Sequence, residues 1–148
     1  MDDSEHADRV TARVSRWVTS EFLQATGGRI GLWRPKPGRW GALRLTTHGR
    51  RSGRQRSVIL GYVEDGPNLV TMAMNGWGEG EPAWWLNLLA QPDASVELAG
   101  GARAVRGRAA VGDEHSRLWA RWQAMDANLD AFAARRSTPT AVVILEPR

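Results

Sequence analysis

The period of the apolar positions changes along this chain. Val10, Val14, Trp17, Val18 and Phe22 fall at helical spacing, so the pattern predicts an amphipathic helix over about 7–25, ended by Gly27-Gly28. Acidic residues precede and join that stripe, and only Arg9, Arg13 and Arg16 accompany it, which favours a face turned to the core over a membrane-surface helix. Residues 33–40, with Pro35 and Pro37, read as a connection. The period then becomes that of strands. Runs over 42–47, 57–63 and 68–74 are separated by a polar loop and by the turn Glu64-Asp65-Gly66-Pro67, the pattern of an antiparallel meander. Asn75-Gly76-Trp77-Gly78 is another glycine turn, and Pro82 suits the first position of a short helix over 83–91 that Pro92 stops. Residues 96–98 and 102–111 predict two strands joined at Gly100-Gly101. Gly112-Asp113 then caps a longer helix, whose stripe Leu118, Trp122, Met125, Leu129 and Phe132 reads as one continuous run widened by Trp119. After Thr138-Pro139, residues 140–145 form an unbroken apolar run typical of a buried strand. About six mostly antiparallel strands with three flanking helices imply an α+β fold whose sheet curls toward a barrel, in a single domain over 1–148.

Composition narrows the chemistry. The chain has no cysteine, which excludes disulfides, thiolate metal sites and cysteine nucleophiles. His6, His48 and His115 are isolated and form neither a zinc signature nor a recognisable triad, so no metal site is expected. Eight tryptophans supply planar walls for a core or for a flat apolar ligand. The start, Met1-Asp2-Asp3-Ser4-Glu5, lacks the basic and apolar regions of a signal peptide, and no apolar run reaches transmembrane length, so the expected location is cytoplasmic.

Charge singles out one stretch. Thr46-Thr47-His48-Gly49-Arg50-Arg51-Ser52-Gly53-Arg54-Gln55-Arg56 holds four arginines, two glycines and three hydroxyl side chains between two strands. By composition alone this is also a solvated hairpin loop. Yet the window from Phe22 to Val63 carries nine basic residues and no Asp or Glu, while the remaining 11 basic residues face all 16 acidic ones. A basic segment on an otherwise acidic chain points to a site for an anion. Gly49 and Gly53 are expected to take φ > 0 and turn backbone N–H groups toward that anion, with the guanidinium groups adding charged donors. The loop is neither a P-loop nor a dinucleotide fingerprint. With no evident acid, base, nucleophile or metal, a borrowed cofactor is the source of chemistry the residues leave open, and no catalytic side chain is assigned.

Thr46 to Gly53, then Arg56, Leu60-Gly61-Tyr62, Asn75-Gly76, Pro82-Ala83-Trp84-Trp85-Leu86-Asn87-Leu88 with Pro92, and the closing Val142 to Pro147 together resemble the deazaflavin-dependent nitroreductase family. Its members are split β-barrel oxidoreductases, related to FMN-binding split barrels, that use coenzyme F420, a hydride carrier with a phosphate and an oligoglutamate tail. The resemblance implies that the loop, through Arg50, Arg51, Ser52, Gly53, Arg54, Gln55 and Arg56, holds the phosphate and tail, with Thr46, Leu60 and Gly61 also at the cofactor. It implies that Met74, Asn75, Gly76 and Trp77 back the deazaflavin ring and that Trp84 and Asn87 complete the pocket. Two departures are Ile59-Leu60, where the family often has Pro-Leu, and Trp77, where it often has a second glycine; Met125 to Phe132 also lacks the tyrosines of members that reduce quinones and bicyclic nitroimidazoles.

The resulting expectation is an F420-dependent oxidoreductase that passes a hydride to a flat apolar acceptor such as a quinone, a nitroaromatic or a conjugated ketone or alkene. It is expected to act on small molecules, as a monomer or homodimer, without nucleic acid and with at most a minor membrane contact. Alternatives are an FMN-binding split barrel, whose cofactor lacks the acidic tail, and a basic nucleic-acid-binding module, which the lack of aromatics among Arg50 to Arg56 disfavours.

Overall fold

A computed structural model describes residues 32–74 and 78–148. The helix expected over 7–25 and the turn residues Asn75, Gly76 and Trp77 lie outside the described residues. The strands are β1 (Gly41–His48), β2 (Gln55–Asp65), β3 (Asn68–Met72), β4 (Asp93–Leu98), β5 (Gly101–Ala109) and β6 (Val142–Pro147). They close into an antiparallel barrel in the order β1-β2-β3-β6-β5-β4, with β4 pairing back on β1. The helices are α1 (Ala83–Ala90), α2 (Asp113–Met125) and α3 (Leu129–Ala133).

The alternation of the strands sorts residues into two cores. Leu43 and Leu45 of β1, Val58, Leu60 and Tyr62 of β2, Val96, Val105, Val143 and Leu145 fill the barrel, and α1 adds Trp84, Trp85 and Leu88. Helix α1 approaches β5 closely: a Cβ on Gly107 would stand 2.9 Å from Leu88 Cδ1, so any larger residue would displace the Leu88 side chain. The opposite pleats, Val63, Val70, Met72, Val142 and Ile144, pack outside the barrel against Leu118, Trp122, Leu129 and Phe132. Both faces of β6 are thus covered, as its unbroken apolar run requires.

Three expectations change. The stripe from Leu118 to Phe132 is carried by two helices instead of one, because the backbone turns extended at Asp126, whose carboxylate accepts the Asn128 N–H at 3.0 Å. The stripe stays buried because α3 resumes on the same side of the sheet. Strand β4 begins at Asp93 instead of Val96: Asp93, Ser95 and Glu97 alternate with Ala94, Val96 and Leu98, and their pairing with Arg106 to Gly101 fixes the strand. Residues 33–40 are more than a link, since Ala42 N–H donates to Trp33 O and Trp33 Nε1 donates to Trp40 O, folding the segment over Ile59.

Candidate functional site

The β1–β2 loop and the start of α1 meet at one end of the barrel. Between them lies a cavity of about 370 Å³ lined by Gly49, Arg50, Arg51, Ser52, Arg56, Ser57, Val58, Ala83, Trp84 and Asn87. One wall is cationic and the other apolar, the combination expected of a pocket for a flat ligand with an anionic end.

Loop geometry is tight. Gly49 N–H donates to Arg54 O and Gly53 N–H to Gly49 O, each at 2.8 Å, while Arg54 N–H donates to Ser52 Oγ. Arg50 N–H donates to Asn87 Oδ1 at 3.1 Å. These backbone donors are therefore turned inward, and the expected array of amides facing an anion is not formed; the loop amides of Arg51 and Ser52 are the ones left without a partner among the described residues. Gly53 has the expected positive φ of 72°, whereas Gly49 does not; a Cβ there would stand 3.0 Å from Arg54 O, a tight contact. The anion-attracting character of the loop rests on side chains. Arg50, Arg51, Arg54 and Arg56 make no ion pair with any described residue.

Asn87, buried in α1, joins three elements. Its Oδ1 accepts from Arg50 N–H and Arg50 Nη1, and its Nδ2 donates to the buried Thr47 Oγ1 at 3.1 Å. Beside it the indole of Trp84 is buried and lines the cavity, yet Trp84 Nε1 has no acceptor among the described residues. A buried donor left unpaired costs about 1–3 kcal/mol.

The other residues implied by resemblance are distributed around this centre. Arg54 and Gly53 sit on the exposed tip of the loop. Thr46 and Gln55 line a different cavity with His48 and Asp93, where Thr46 Oγ1 pairs with Ser57 Oγ at 2.8 Å. Leu60 faces the barrel interior, Gly61 lies under the Trp40 ring, and Met74 packs against the α2–α3 core. Gly49, which the sequence placed in the anion loop, lines the cavity with Ser57, Val58 and Ala83, and Thr47 anchors Asn87; the last four were not assigned to the cofactor site from sequence. The flanking polar pattern of Thr47 and Ser57 was the available signal.

Arg136 has a related structural role that no motif announces. Its fully buried guanidinium donates to Ala73 O, Gly80 O, Thr140 Oγ1 and Glu81 Oε1, the last at 2.8 Å. Ser137 N–H and Oγ both donate to Glu79, and these bonds hold the Glu79 carboxyl below its ordinary range. The chain entering at Ala73 and the chain leaving at Gly80 are thereby tied to one support.

Tyr62 is remote from this cavity. It opens onto the other mouth of the barrel beside Arg34, Glu64 and Arg103, five residues along β2 from Ser57, or about 16 Å of strand. Burial, then the Glu64 carboxylate, pushes its phenol above the ordinary value. Among the described residues no group of three or more His, Cys, Asp or Glu could hold a metal, and no helix is long and apolar enough to cross a membrane.

The family model for F420H(2)-dependent quinone reductase matches residues 14–147. An F420H(2)-dependent quinone reductase of Mycobacterium tuberculosis is 30% identical over 149 residues, covering 91% of this chain and 99% of the relative. A shorter protein of the same organism, given the same name provisionally, is 32% identical over 119 residues, covering 80% and 96%. Among solved structures, one titled F420-H2 dependent reductase (FDR-A) has a TM-score of 0.64 at 24% identity, covering 71% of this chain and 93% of its own, which supports the barrel fold.

Proposed function

Because the chain belongs to the F420H(2)-dependent quinone reductase family, and is thereby an oxidoreductase dependent on coenzyme F420, we propose that the cavity between the β1–β2 loop and α1 receives that coenzyme and that a quinone is its acceptor. The observation that carries this placement is the set of loop arginines without a carboxylate partner among the described residues, three of which, Arg50, Arg51 and Arg56, line the cavity opposite Trp84.

The residues present fit the group. Arg50, Arg51 and Arg56 line the cavity, and Arg54 is exposed on the same loop, a charge set suited to a phosphate and a string of carboxylates. FMN has a phosphate and no acidic tail, so it would leave most of this charge unanswered. Val58, Ala83 and Trp84 offer the apolar surface on which a conjugated ring system lies. An arginine loop folded against an indole wall also differs from an open phosphate-reading surface.

When bound, the reduced deazaflavin supplies the hydride. The chain binds and orients the reactants and places fixed donors where negative charge develops on the acceptor. Arginine, serine, asparagine and tryptophan line the cavity together with apolar residues and glycine, and no carboxylic acid, histidine or tyrosine is among them. Since no such acid lines the cavity among the described residues, water is the proton source in this reading, and Tyr62, at the other mouth of the barrel, is not.

The test is titration with the coenzyme at low and high salt. Arg50→Ala/Arg51→Ala should weaken binding by at least about tenfold at low salt, with the difference shrinking as salt rises, since each charge-assisted contact contributes about 1.5–3 kcal/mol. Equal affinity in wild type and double variant at both salt concentrations would remove the loop from the site.

A further inference from the structure

We propose that Asn87 is a positioning residue that aims Arg50 while leaving its charge free, and that it does not itself bind the coenzyme. This rests on the placement of the coenzyme given above. The amide has little capacity left over. Its oxygen already accepts two hydrogen bonds, from Arg50 N–H at 3.1 Å and from Arg50 Nη1 at 3.0 Å, and its nitrogen donates to Thr47 Oγ1. Asn87 is 3% exposed and Thr47 is 0% exposed, so the two side chains form a buried strut from β1 to α1 that ends on the guanidinium.

The residue type matters for an electrostatic reason. An aspartate at position 87 would hold Arg50 at least as firmly, but it would place a carboxylate against the guanidinium and cancel much of the charge that attracts an anionic ligand. Aspartate would also lose the donor that reaches Thr47. Asparagine fixes both the backbone and the side chain of Arg50 through one neutral oxygen, so the rotamer freedom of the arginine is restricted before the ligand arrives. Arg51, Arg54 and Arg56 have no comparable support among the hydrogen bonds of the loop, which makes Arg50 the one preorganised cation of the four.

A double-mutant cycle on coenzyme affinity tests this, with wild type, Arg50→Ala, Asn87→Ala and the pair. If Asn87 acts through Arg50, Asn87→Ala weakens binding about fivefold or more in wild type and less than about twofold in the Arg50→Ala background. Equal losses in both backgrounds would show that Asn87 acts independently of the Arg50 guanidinium and would overturn the inference. Asn87→Asp and Thr47→Val serve if Asn87→Ala does not fold. Asn87→Asp should flatten the salt dependence of binding as Arg50→Ala does, whereas Thr47→Val should weaken binding and keep that dependence. An Asn87→Asp protein with wild-type affinity and salt dependence would also overturn it. If Arg50→Ala and Arg50→Ala/Arg51→Ala both bind the coenzyme as wild type does, the placement of the site fails and the inference falls with it.

Discussion

Two sets of arginines in this molecule meet opposite circumstances. On the face covered by α2, Arg117 makes a two-pronged pair with Asp65, both contacts at 2.9 Å, and Arg108 bridges Glu114 and Glu146. Around the β1–β2 loop, Arg50, Arg51, Arg54 and Arg56 pair with no carboxylate among the described residues. The residue type is the same, yet one set is paired with carboxylates and the other has none among the described residues. An arginine becomes informative about function when its partners are known, because a matched pair near the surface contributes only about 0–1 kcal/mol and attracts nothing further.

A third circumstance gives the largest expected effect. Arg136 is buried and bound to two carbonyls, a hydroxyl and Glu81, so Arg136→Ala should lower the free energy of unfolding by about 3–5 kcal/mol in denaturant titration, through the uncompensated carboxylate and carbonyls it leaves. A loss under about 1 kcal/mol would mean that water replaces it readily.

Next in size is the contrast between the two exposed sets. Arg117→Ala, measured beside Arg50→Ala/Arg51→Ala, should leave coenzyme affinity within about twofold and change stability little, because solvent screens the exposed pair. Loss of affinity in Arg117→Ala as large as in the loop variant would erase the distinction between the two sets.

Acid should separate them further. The Arg117 hydrogen bonds lower Asp65 from its ordinary 3.8, and those of Arg108 lower Glu114 from 4.5. Both carboxyls are more acidic folded than unfolded, so their contribution to stability is present above the unfolded values and is lost as pH falls through the folded ones. Thermal unfolding followed from pH 7 to pH 3 should show this loss beginning below about pH 5, and Asp65→Asn/Glu114→Gln should decline less steeply over that range. Parallel declines would show that these pairs carry no linked stability.

The smallest effects should come from Tyr62→Phe and His48→Ala, each keeping turnover within about tenfold, or roughly 1.4 kcal/mol of barrier. Several hundredfold loss in either, with coenzyme affinity intact, would place a side-chain acid in the reaction and contradict the assignment of the proton to water.

The sequence by itself determined the alternation that fills the barrel, the apolar run of β6 and the charge of the loop, because each is a local pattern of period, turn residues or sign. The resemblance added Trp84 and Asn87 to the site. Only the tertiary structure decided which neighbours share a cavity. The pleat and register send Thr46 and His48 to one side of the β1–β2 ribbon and Thr47 to the other, where it meets Asn87 from forty residues away. The capture of the Arg50 amide was likewise invisible, since it depends on Asn87 reaching the loop across the gap between α1 and β1. Arg136 sits in a polar, unpatterned stretch, and its importance arises from carbonyls more than fifty residues away in the chain. Local chemistry writes the period and the charge of each segment, whereas a hydrogen bond across the barrel exists only once closure has brought its two ends together.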